Sequence, residues 1–454
     1  MLSCFFTEKN AKSIAIKLIS QSKYAEWLQK QSATTQQWLA AIQFRADPGQ
    51  FSIVADGQGN IAYVLFCIPD VFSMWSIGHL PANLPEGQYY LETNDEHYWN
   101  YALAWGLGAY QFLRYKKSTR NMAMLFLPEE NKKIQAVIKS IYGVRDWINT
   151  PTDDLGPSEF ATIAAQIAEQ FNAQFSEIVG DDLLTQNFPA IFTVGRASDD
   201  PARLIDIRWG NATHPKVTLV GKGVCFDTGG LDLKPSAYMQ LMKKDMGGAA
   251  HVLGLASMIM QAQLPICLRV LIPVLENAVS GNAYRPGDVI KSRKGLTIEI
   301  GNTDAEGRVI LADAITEAVS ETPDLLIDIA TLTGAARVAL GPDVPVMFCN
   351  QDQLAEAVRQ HGENQQDPVW RLPLYAPYRD YLNSTIADIN NNPSEAYGGA
   401  ITAALFLKEF VPDNIPWLHF DVMAWNLRTR PGRPQGGEAM GLRALFAYLQ
   451  EQYG

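Results

Sequence analysis

The sequence predicts a two-domain α/β protein, in which a small amino-terminal α/β domain precedes a larger domain with a mixed, largely parallel central sheet covered by helices. Three observations support this fold class. The chain has 454 residues, which exceeds the usual size of one domain. Its later part alternates short apolar, strand-like runs with Ala- and Gly-rich helical stretches. Its earlier part differs in composition, since no Lys or Arg occurs from Ala46 to Leu113.

The amino-terminal domain is predicted to span residues 1–127. Two strand-like runs, FSIVADG and NIAYVLFCI, flank a glycine-containing turn signal. The stretch HYWNYALAWGLGAYQFLRYKK, residues 97–117, repeats apolar residues at a spacing of three to four and predicts a helix. A linker helix is predicted over residues 128–143, because NKKIQAVIKSIYG has helical spacing and ends in Gly143, a typical stop signal.

The larger domain is predicted to span residues 144–454. The runs VTLVG, LRVLIPVL, LTIEIG, LLIDIAT and VPVMFC are strand-like, and MGGAAHVLGLASMIMQA is helical in pattern. Such alternation indicates a sheet with helices on its faces. Ligands of sheets of this kind usually lie at the strand ends.

Charge and cysteine usage exclude several classes of function. The balance of 37 basic and 48 acidic residues gives a net charge of −11, which disfavours nucleic acid and anionic lipid as partners. The five cysteines are scattered and never form a CxxC pair, so neither a disulfide framework nor a thiolate zinc site is indicated. Neither a signal peptide nor an apolar run of membrane-spanning length is visible, and a cytoplasmic location is expected.

The motif NTDAEGR places Asp304, Glu306 and Arg308 at alternate positions where a strand-like run gives way to a helical one. In extended chain, alternate side chains point to one side, so the two carboxylates would repel each other unless a cation lies between them. A second interpretation is a helix start, at which acids favour the positive end of the helix dipole. The motif alone leaves both interpretations open.

A second stretch, residues 220–250, contains Lys222, Asp227, Lys234 and Asp245 among six glycines. A phosphate loop is disfavoured, because the Walker elements occur in the wrong order. Cys225 lies in an apolar run and is expected to be an inert buried thiol. The six histidines are isolated, so any metal would rest on oxygen ligands, which suit hard or borderline divalent ions.

Both stretches, and the spacing between them, resemble the signatures of the leucyl (cytosol) aminopeptidase family. NTDAEGR is present unchanged, and the resemblance continues through RDWINTPTDDLGP, ENAVSGNAYRPGDV, LIDIATLTGA and GGAITAALFLKEFV. It covers about residues 144–454, and the preceding part resembles the family only in being a variable leading domain.

The resemblance implies a role for each matching residue. Two divalent metal ions, zinc or manganese with magnesium and cobalt as alternatives, would be held by Lys222, Asp227, Asp245, Asp304 and Glu306. Of these, Asp227 and Glu306 resemble the carboxylates that bridge both ions. Lys234 resembles the lysine that stabilises the oxyanion, and Arg308 the residue that holds a bicarbonate ion as proton acceptor. The implied substrate-binding residues are Met242, Asn302, Thr331 and Gly334.

The function implied by the resemblance is metal-dependent hydrolysis of amino-terminal residues from peptides, by a water that two ions activate, in a homohexamer of two stacked trimers. One alternative is a non-catalytic family member that acts as a DNA-binding or regulatory protein. A second alternative is another dinuclear hydrolase, such as a phosphatase. Ala278 and Val279 stand where Met-Pro is common. The tail also departs from the family pattern, so Met423 and Trp425 are expected to reshape the pocket and put a leucine preference in doubt.

Overall fold

The computed structural model describes residues 1–93 and 96–454 and contains two compact units. The smaller unit comprises residues 1–142 and 428–435, and the larger comprises residues 143–427 and 436–454. The predicted class, a small α/β domain followed by a larger domain with a helix-covered sheet, is confirmed. The later segment joins the smaller unit through local contacts. Gly432 N donates to Gly78 O over 3.1 Å, and the Arg433 guanidinium lies 4.5 Å from the centre of the Trp75 ring.

The smaller unit is built on one six-stranded sheet. Its strands are β1 (Phe5–Phe6), β2 (Ile14–Ser20), β3 (Phe51–Ala55), β4 (Ile61–Ile68), β5 (Gln88–Leu91) and β6 (Met124–Phe126). They lie in the order β1-β6-β5-β2-β4-β3. All neighbours run parallel except β3 and β4, which form an antiparallel pair at one edge. The two predicted strands FSIVADG and NIAYVLFCI form this pair.

One helix of the smaller unit ends earlier than the sequence predicts. Its helices are α1 (Gln21–Gln29), α2 (Ala33–Ala41), α3 (Leu80–Asn83) and α4 (Tyr98–Gly108). The helix predicted over residues 97–117 ends at Gly108. A side chain at Gly108 is excluded, because its Cβ would lie 1.7 Å from Gly78 O, and glycine has low helix propensity.

The helix α5 (Ile134–Asn149) begins in the first unit and ends in the second, so the stop predicted at Gly143 was also wrong. Buried Val144 and Ile148 continue the apolar spacing beyond the glycine. A glycine inside a helix costs only about 1 kcal/mol, which buried apolar side chains readily offset. The Trp147 ring also packs on Gly143, where an added Cβ would lie 3.1 Å from it.

The larger unit contains a nine-stranded mixed sheet. Its strands are β7 (Gln174–Val179), β8 (Arg203–Trp209), β9 (Lys216–Gly221), β10 (Gly223–Asp227), β11 (Cys267–Asn277), β14 (Leu325–Ala330), β15 (Val346–Cys349), β16 (Trp370–Arg371) and β18 (Trp417–Asp421). Five short strands lie outside this sheet: β12 (Val289–Lys291), β13 (Thr297–Glu299), β17 (Ile389–Asn390), β19 (Trp425–Asn426) and β20 (Gly436–Gly437). The order is β16-β15-β18-β14-β9-β11-β8-β7, with β10 pairing β11. Its central strands β18, β14, β9 and β11 are parallel, and the short strands form two separate sheets.

The larger unit also contains α-helices. They are α6 (Pro157–Gln170), α7 (Asp182–Thr185), α8 (Pro189–Gly195), α9 (Ser236–Met239), α10 (Gly247–Ala262), α11 (Glu306–Val319), α12 (Gly334–Leu340), α13 (Asp352–Asn364), α14 (Gly399–Lys408) and α15 (Leu442–Tyr453). The central pair α10 and α11 is almost wholly buried and contacts β9, β11 and β14. Within residues 1–93 and 96–454, no helix has both the length and the apolar character needed to cross a bilayer.

Candidate metal centre

Three side chains of the site leave the central sheet at the carboxyl ends of neighbouring strands. Lys222 follows β9, Asp227 ends β10, and Thr331 follows β14. The strands β9 and β14 are parallel neighbours, and β10 continues β9 along the same side of β11, also in parallel pairing. Carboxyl ends of parallel strands meet at one edge of a sheet, and the fold therefore gathers these residues there.

The remaining acids come from two helix starts. Asp245 follows the short 3₁₀ helix Met242–Lys244 and lies just before α10. Glu306 is the first residue of α11, and Asp304 lies in the turn before it. In that turn the Asp304 amide donates to Asn302 Oδ1 over 2.7 Å. Asp227, Asp245, Asp304 and Glu306 together are called the carboxylate cluster below.

Glycine at position 307 allows Lys222 to enter the cluster. A Cβ at Gly307 would lie 2.7 Å from the Cε atom and 2.8 Å from the Nζ atom of Lys222. Contacts this short do not occur in folded proteins, so any larger residue would displace the lysine. The glycine of NTDAEGR thus has a steric role that the motif alone does not reveal.

Lys222 lies between two buried carboxylates. Its Nζ atom is 2.7 Å from Asp245 Oδ2 and 2.7 Å from Glu306 Oε1. Burial opposes its charged form, but the carboxylates of Asp245 and Glu306 outweigh burial and raise the pKa of Lys222. The same lysine keeps the pKa of Asp245 below its ordinary value, against the effect of burial. The Lys222 ammonium therefore occupies a position where two buried carboxylates require a positive charge.

Neither of those two oxygens accepts a hydrogen bond in the described residues, although Lys222 is close to both. Ligand oxygens of Asp227, Asp245 and Glu306 all lie within 4.8 Å of one another. Buried oxygens that converge without hydrogen-bond donors are a donor set suited to a hard or borderline divalent ion, so the residues fit a metal site.

Asp227 is fixed from both sides. Its Oδ1 atom accepts from Gly229 N over 2.8 Å and from Asn277 Nδ2 over 2.9 Å. Its Oδ2 atom lies 2.8 Å from Lys234 Nζ, and the same ammonium also contacts Asp304. Burial of Lys234 is outweighed by Asp227 and other carboxylates, which raise its pKa.

The carboxylate cluster is short of positive charge. Its four acids face two ammonium groups, those of Lys222 and Lys234. Burial, and then repulsion by Asp227, raises the pKa of Glu306 to about 8. The same two causes, in the same order, raise the pKa of Asp304 to about 6. Raised pKa values are expected here, because several carboxyl groups lie close together with too few cations to compensate their negative charges.

Arg308 is buried in the first turn of α11, two residues after Glu306. Its Nη1 atom donates to Asn391 O over 2.8 Å, while its Nε atom is without a hydrogen-bond partner among the described residues. Burial lowers the pKa of Arg308 to about 10, with Glu306 acting in the opposite direction. A buried guanidinium with an unused donor can take a small planar anion.

A cavity of about 290 Å³ opens beside the carboxylate cluster. Of the predicted substrate-binding residues, Met242, Thr331 and Gly334 line it. Asn302 is absent from its lining and instead shapes the turn that carries Asp304. Met423 and Trp425, expected to reshape the pocket, are also absent from the described lining.

The structure adds residues that sequence reasoning missed. Lys244 and Arg337 line the cavity, and burial, partly offset by the Asp245 carboxylate, lowers the pKa of Lys244 to about 8. Asn277 holds Asp227, and Asn391 holds the loop before α11 by accepting from Gly301 N over 2.8 Å. Asn277 was available in the quoted motif ENAVSGNA, whereas no sequence signal marked Asn391.

Two other chemistries considered from the sequence receive no support. Cys225 is buried, and burial raises the pKa of its thiol well above the ordinary value. His251 is fully buried, with Nδ1 against Gly247 O and Nε2 accepting from Met440 N. Across the described ranges, the group of converging ligand atoms contains carboxylates and no histidine or cysteine.

Comparison with known proteins gives consistent matches. Residues 143–446 match the catalytic domain of the cytosol aminopeptidase family, and residues 14–128 match the M17 aminopeptidase N-terminal domain. A probable cytosol aminopeptidase of Roseiflexus castenholzii is 38% identical over 372 residues, which cover 76% of this chain and 74% of that protein. The crystal structure of cytosol aminopeptidase from Coxiella burnetii matches with a TM-score of 0.97 and 52% identity, covering 99% of this chain and 100% of that one. The bottromycin maturation enzyme BotP, in complex with Mn, matches with a TM-score of 0.87 and 30% identity, covering 97% and 100%.

Proposed function

The chain belongs to the cytosol aminopeptidase family, and we propose that it removes amino-terminal residues from peptides with the help of two divalent metal ions. Family membership makes it a peptidase and hence a hydrolase. The observation that carries the metal proposal is the carboxylate cluster, in which oxygens of Asp227, Asp245 and Glu306 converge within 4.8 Å without sufficient positive charge.

The proposed ligands are those predicted from the sequence: Lys222, Asp227, Asp245, Asp304 and Glu306. Asp227 and Glu306 are proposed to bridge the two ions. This assignment is supported by one buried oxygen each of Asp245 and Glu306, which within the described residues contacts the Lys222 ammonium and accepts no other hydrogen bond. Zinc or manganese is proposed, with magnesium or cobalt as alternatives, and the manganese complex of the bottromycin enzyme is in line with manganese. When bound, the ions would supply Lewis acidity that activates water and polarises the peptide carbonyl.

Lys234 is proposed to stabilise the oxyanion that develops on the peptide carbonyl. Its ammonium group is only partly buried and lies 2.8 Å from Asp227 Oδ2, so it borders both the carboxylate cluster and the cavity. Neighbouring carboxylates keep it charged. A positioned cation in a water-poor site lowers the energy of a developing negative charge far more than one in bulk water does.

Arg308 is proposed to hold a bicarbonate ion, which would accept a proton from the attacking water. The guanidinium is buried, is fixed by Asn391 O on one side, and has an unused Nε–H donor. A planar fork of donors suits a planar anion. In this role Arg308 positions the base and does not itself transfer the proton.

Substrate selection is proposed to use the cluster and the cavity together. The free α-amine of the peptide would lie at the carboxylate cluster, which accounts for a preference for amino termini. The first side chain would enter the cavity lined by Met242, Thr331 and Gly334. Asn302 would act indirectly, by holding the turn that carries Asp304.

The alternative of a non-catalytic, DNA-binding or regulatory protein is not favoured. All five proposed ligands are present, and four of them are buried together. The net charge of −11 also disfavours DNA as a partner.

Assembly and location remain proposals that follow from the family. A homohexamer of two stacked trimers is proposed, and sedimentation that gives only monomers would reject it. A cytoplasmic location is proposed as well, since all five cysteines are free, as a reducing compartment requires.

The decisive experiment is metal removal and reloading on the full chain. The protein is stripped by chelation, reloaded separately with zinc, manganese, magnesium or cobalt, and assayed on a panel of aminoacyl amides. Activity should be absent without metal and return with at least one ion, at about two bound ions per chain by elemental analysis. An amino-terminally acetylated substrate should resist cleavage.

Two variants control this experiment. Asp245→Asn should bind less metal, whereas Asp352→Asn, on the exposed start of α13, should bind the wild-type amount. Full activity in the stripped protein, or inactivity with every ion, would contradict the proposed function.

A further inference from the structure

Two cations in the cavity differ from those of the carboxylate cluster. Lys244 is only 2% exposed and Arg337 is half-buried, and both line the cavity beside Met242, Thr331 and Gly334. Within the described part of the chain, neither side chain forms an ion pair or donates a hydrogen bond. Lys222 and Lys234, by contrast, each contact two carboxylates.

The carboxylates whose charge acts on Lys244 are those of Asp245 and Asp421, and both already have partners. Asp245 lies against Lys222 and accepts from Thr331 Oγ1 over 2.7 Å. Asp421 accepts from Thr333 Oγ1 over 2.6 Å and from the backbone amides of residues 332 and 333. The Lys244 ammonium is consequently buried without a counter-ion of its own.

Arg337 extends this positive region over the floor of the cavity. Its Nη2 atom lies 3.5 Å from the position that a Cβ at Gly334 would occupy. The guanidinium therefore lies over Gly334, which has no side chain that could fill the same space. Both cations border the space assigned above to the first side chain of the substrate.

We propose that Lys244 and Arg337 recognise the side-chain carboxylate of an amino-terminal aspartate or glutamate, so that the enzyme prefers acidic first residues. The inference rests on the proposed function and specifies its substrate class. A buried charge without a partner is unfavourable, and a carboxylate supplies both the opposite charge and hydrogen-bond acceptors. A neutral side chain of the same shape leaves both cations uncompensated, and sites built for a polar group discriminate strongly against analogues that lack it.

The test compares near-isosteric first residues on the metal-loaded full chain. The substrates are 4-nitroanilides of Glu, Gln, Asp, Asn and Leu, which have no carboxyl terminus that could occupy the cations instead. The expected kcat/KM is at least about tenfold higher for Glu than for Gln, or for Asp than for Asn. Lys244→Met and Arg337→Met should each lower that ratio by about tenfold, and Lys244→Arg or Arg337→Lys should restore part of it.

Each ratio is measured within one variant, so partial loss of folded protein does not change it. Lys291→Met, on the exposed strand β12, serves as the matched control and should keep the wild-type ratio. Because Arg337 is only half-buried, its variant remains informative even if Lys244→Met does not fold. Calorimetry should also show tighter binding of L-glutamate than of L-glutamine, or of L-aspartate than of L-asparagine, in the wild type, with the difference lost in Arg337→Met.

Equal cleavage of acidic and amide substrates by the wild type, with both cleaved well, would overturn the inference and leave the proposed function intact. A preference for acidic residues that survives both methionine variants would also overturn it. Failure to cleave any anilide with any metal would instead reject the proposed function, and the inference with it.

Discussion

Arg145 and Glu438 form a buried ion pair in the same unit as the carboxylate cluster, and the two sites differ in how their charges are compensated. Arg145 Nε and Nη2 each lie 3.0 Å from a different oxygen of Glu438. Glu438 also accepts from Asn426 Nδ2 over 2.7 Å and from Ala439 N over 3.0 Å. Every charge in that pair is matched.

The carboxylate cluster is buried at Asp227, Asp245 and Glu306 and partly buried at Asp304, but it has four acids for two ammonium groups. A matched buried pair is costly to break because the remaining charge is left without a partner. An unmatched cluster is already unfavourable, and it is expected where a cation or substrate completes the charge balance. The contrast distinguishes side chains that stabilise the fold from side chains that are proposed to bind metal and substrate.

The largest effect is expected for Glu306→Gln, which removes an ionisable carboxyl group from the cluster and leaves its shape. Because a proposed bridging ligand is lost, kcat/KM should fall by about 10³-fold or more. The free energy of unfolding of the metal-free protein should not fall, since crowding among the acids is relieved. Steady-state kinetics and denaturant unfolding measure the two effects. Activity close to wild type would show that Glu306 is not a ligand.

The opposite pattern is expected for Arg145→Met. Loss of the arginine leaves Glu438 buried and charged, which should lower the free energy of unfolding by about 3–5 kcal/mol. Chemical denaturation measures it, and adding Glu438→Gln should recover part of the loss, because the orphaned charge is then gone. A decrease below about 1 kcal/mol would break the distinction between matched and unmatched charges.

A smaller effect on activity is expected for Arg308→Lys, which keeps the charge and loses the planar fork. The rate should fall about 100-fold, a typical contribution of general-base catalysis, and any stimulation by added bicarbonate should disappear while bound metal stays unchanged. Arg285→Lys, at an exposed position, is the matched control. Undiminished bicarbonate stimulation in Arg308→Lys would contradict the assignment.

The smallest effect is expected for a matched but exposed group of charges. Arg359 pairs with Glu356 and with Glu363 on the surface of α13. Solvent screens such pairs, so Glu356→Gln should leave the denaturation midpoint unchanged within error. A loss similar to that of Arg145→Met would mean that burial is not the variable that matters.

The fold was predictable because its signals are local. Apolar runs such as LLIDIAT and LRVLIPVL form β14 and β11 as predicted. The two helix ends were not predictable, because each depends on packing. The helix α4 ends at Gly108, which packs against the backbone of Gly78. The helix α5 continues through Gly143, because Val144 and Ile148 are buried beyond it.

The residues of the candidate site could be proposed from the sequence where they fall in short motifs, as Asp304, Glu306 and Arg308 do. The uncompensated cations could not, because a missing counter-ion is a property of the folded surroundings. Nothing in the letters KK or AAR distinguishes Lys244 or Arg337 from an ordinary solvated base. Asn391, some 83 residues after Arg308 in sequence, meets it only in the fold.

The charge deficit of the carboxylate cluster also links cellular metal supply to the amount of folded enzyme. An ion that binds only the folded chain stabilises it in proportion to the logarithm of its free concentration. We therefore expect cells starved of that ion to contain fewer copies of the protein as well as less active ones, because the unloaded chain unfolds more readily and proteases remove it.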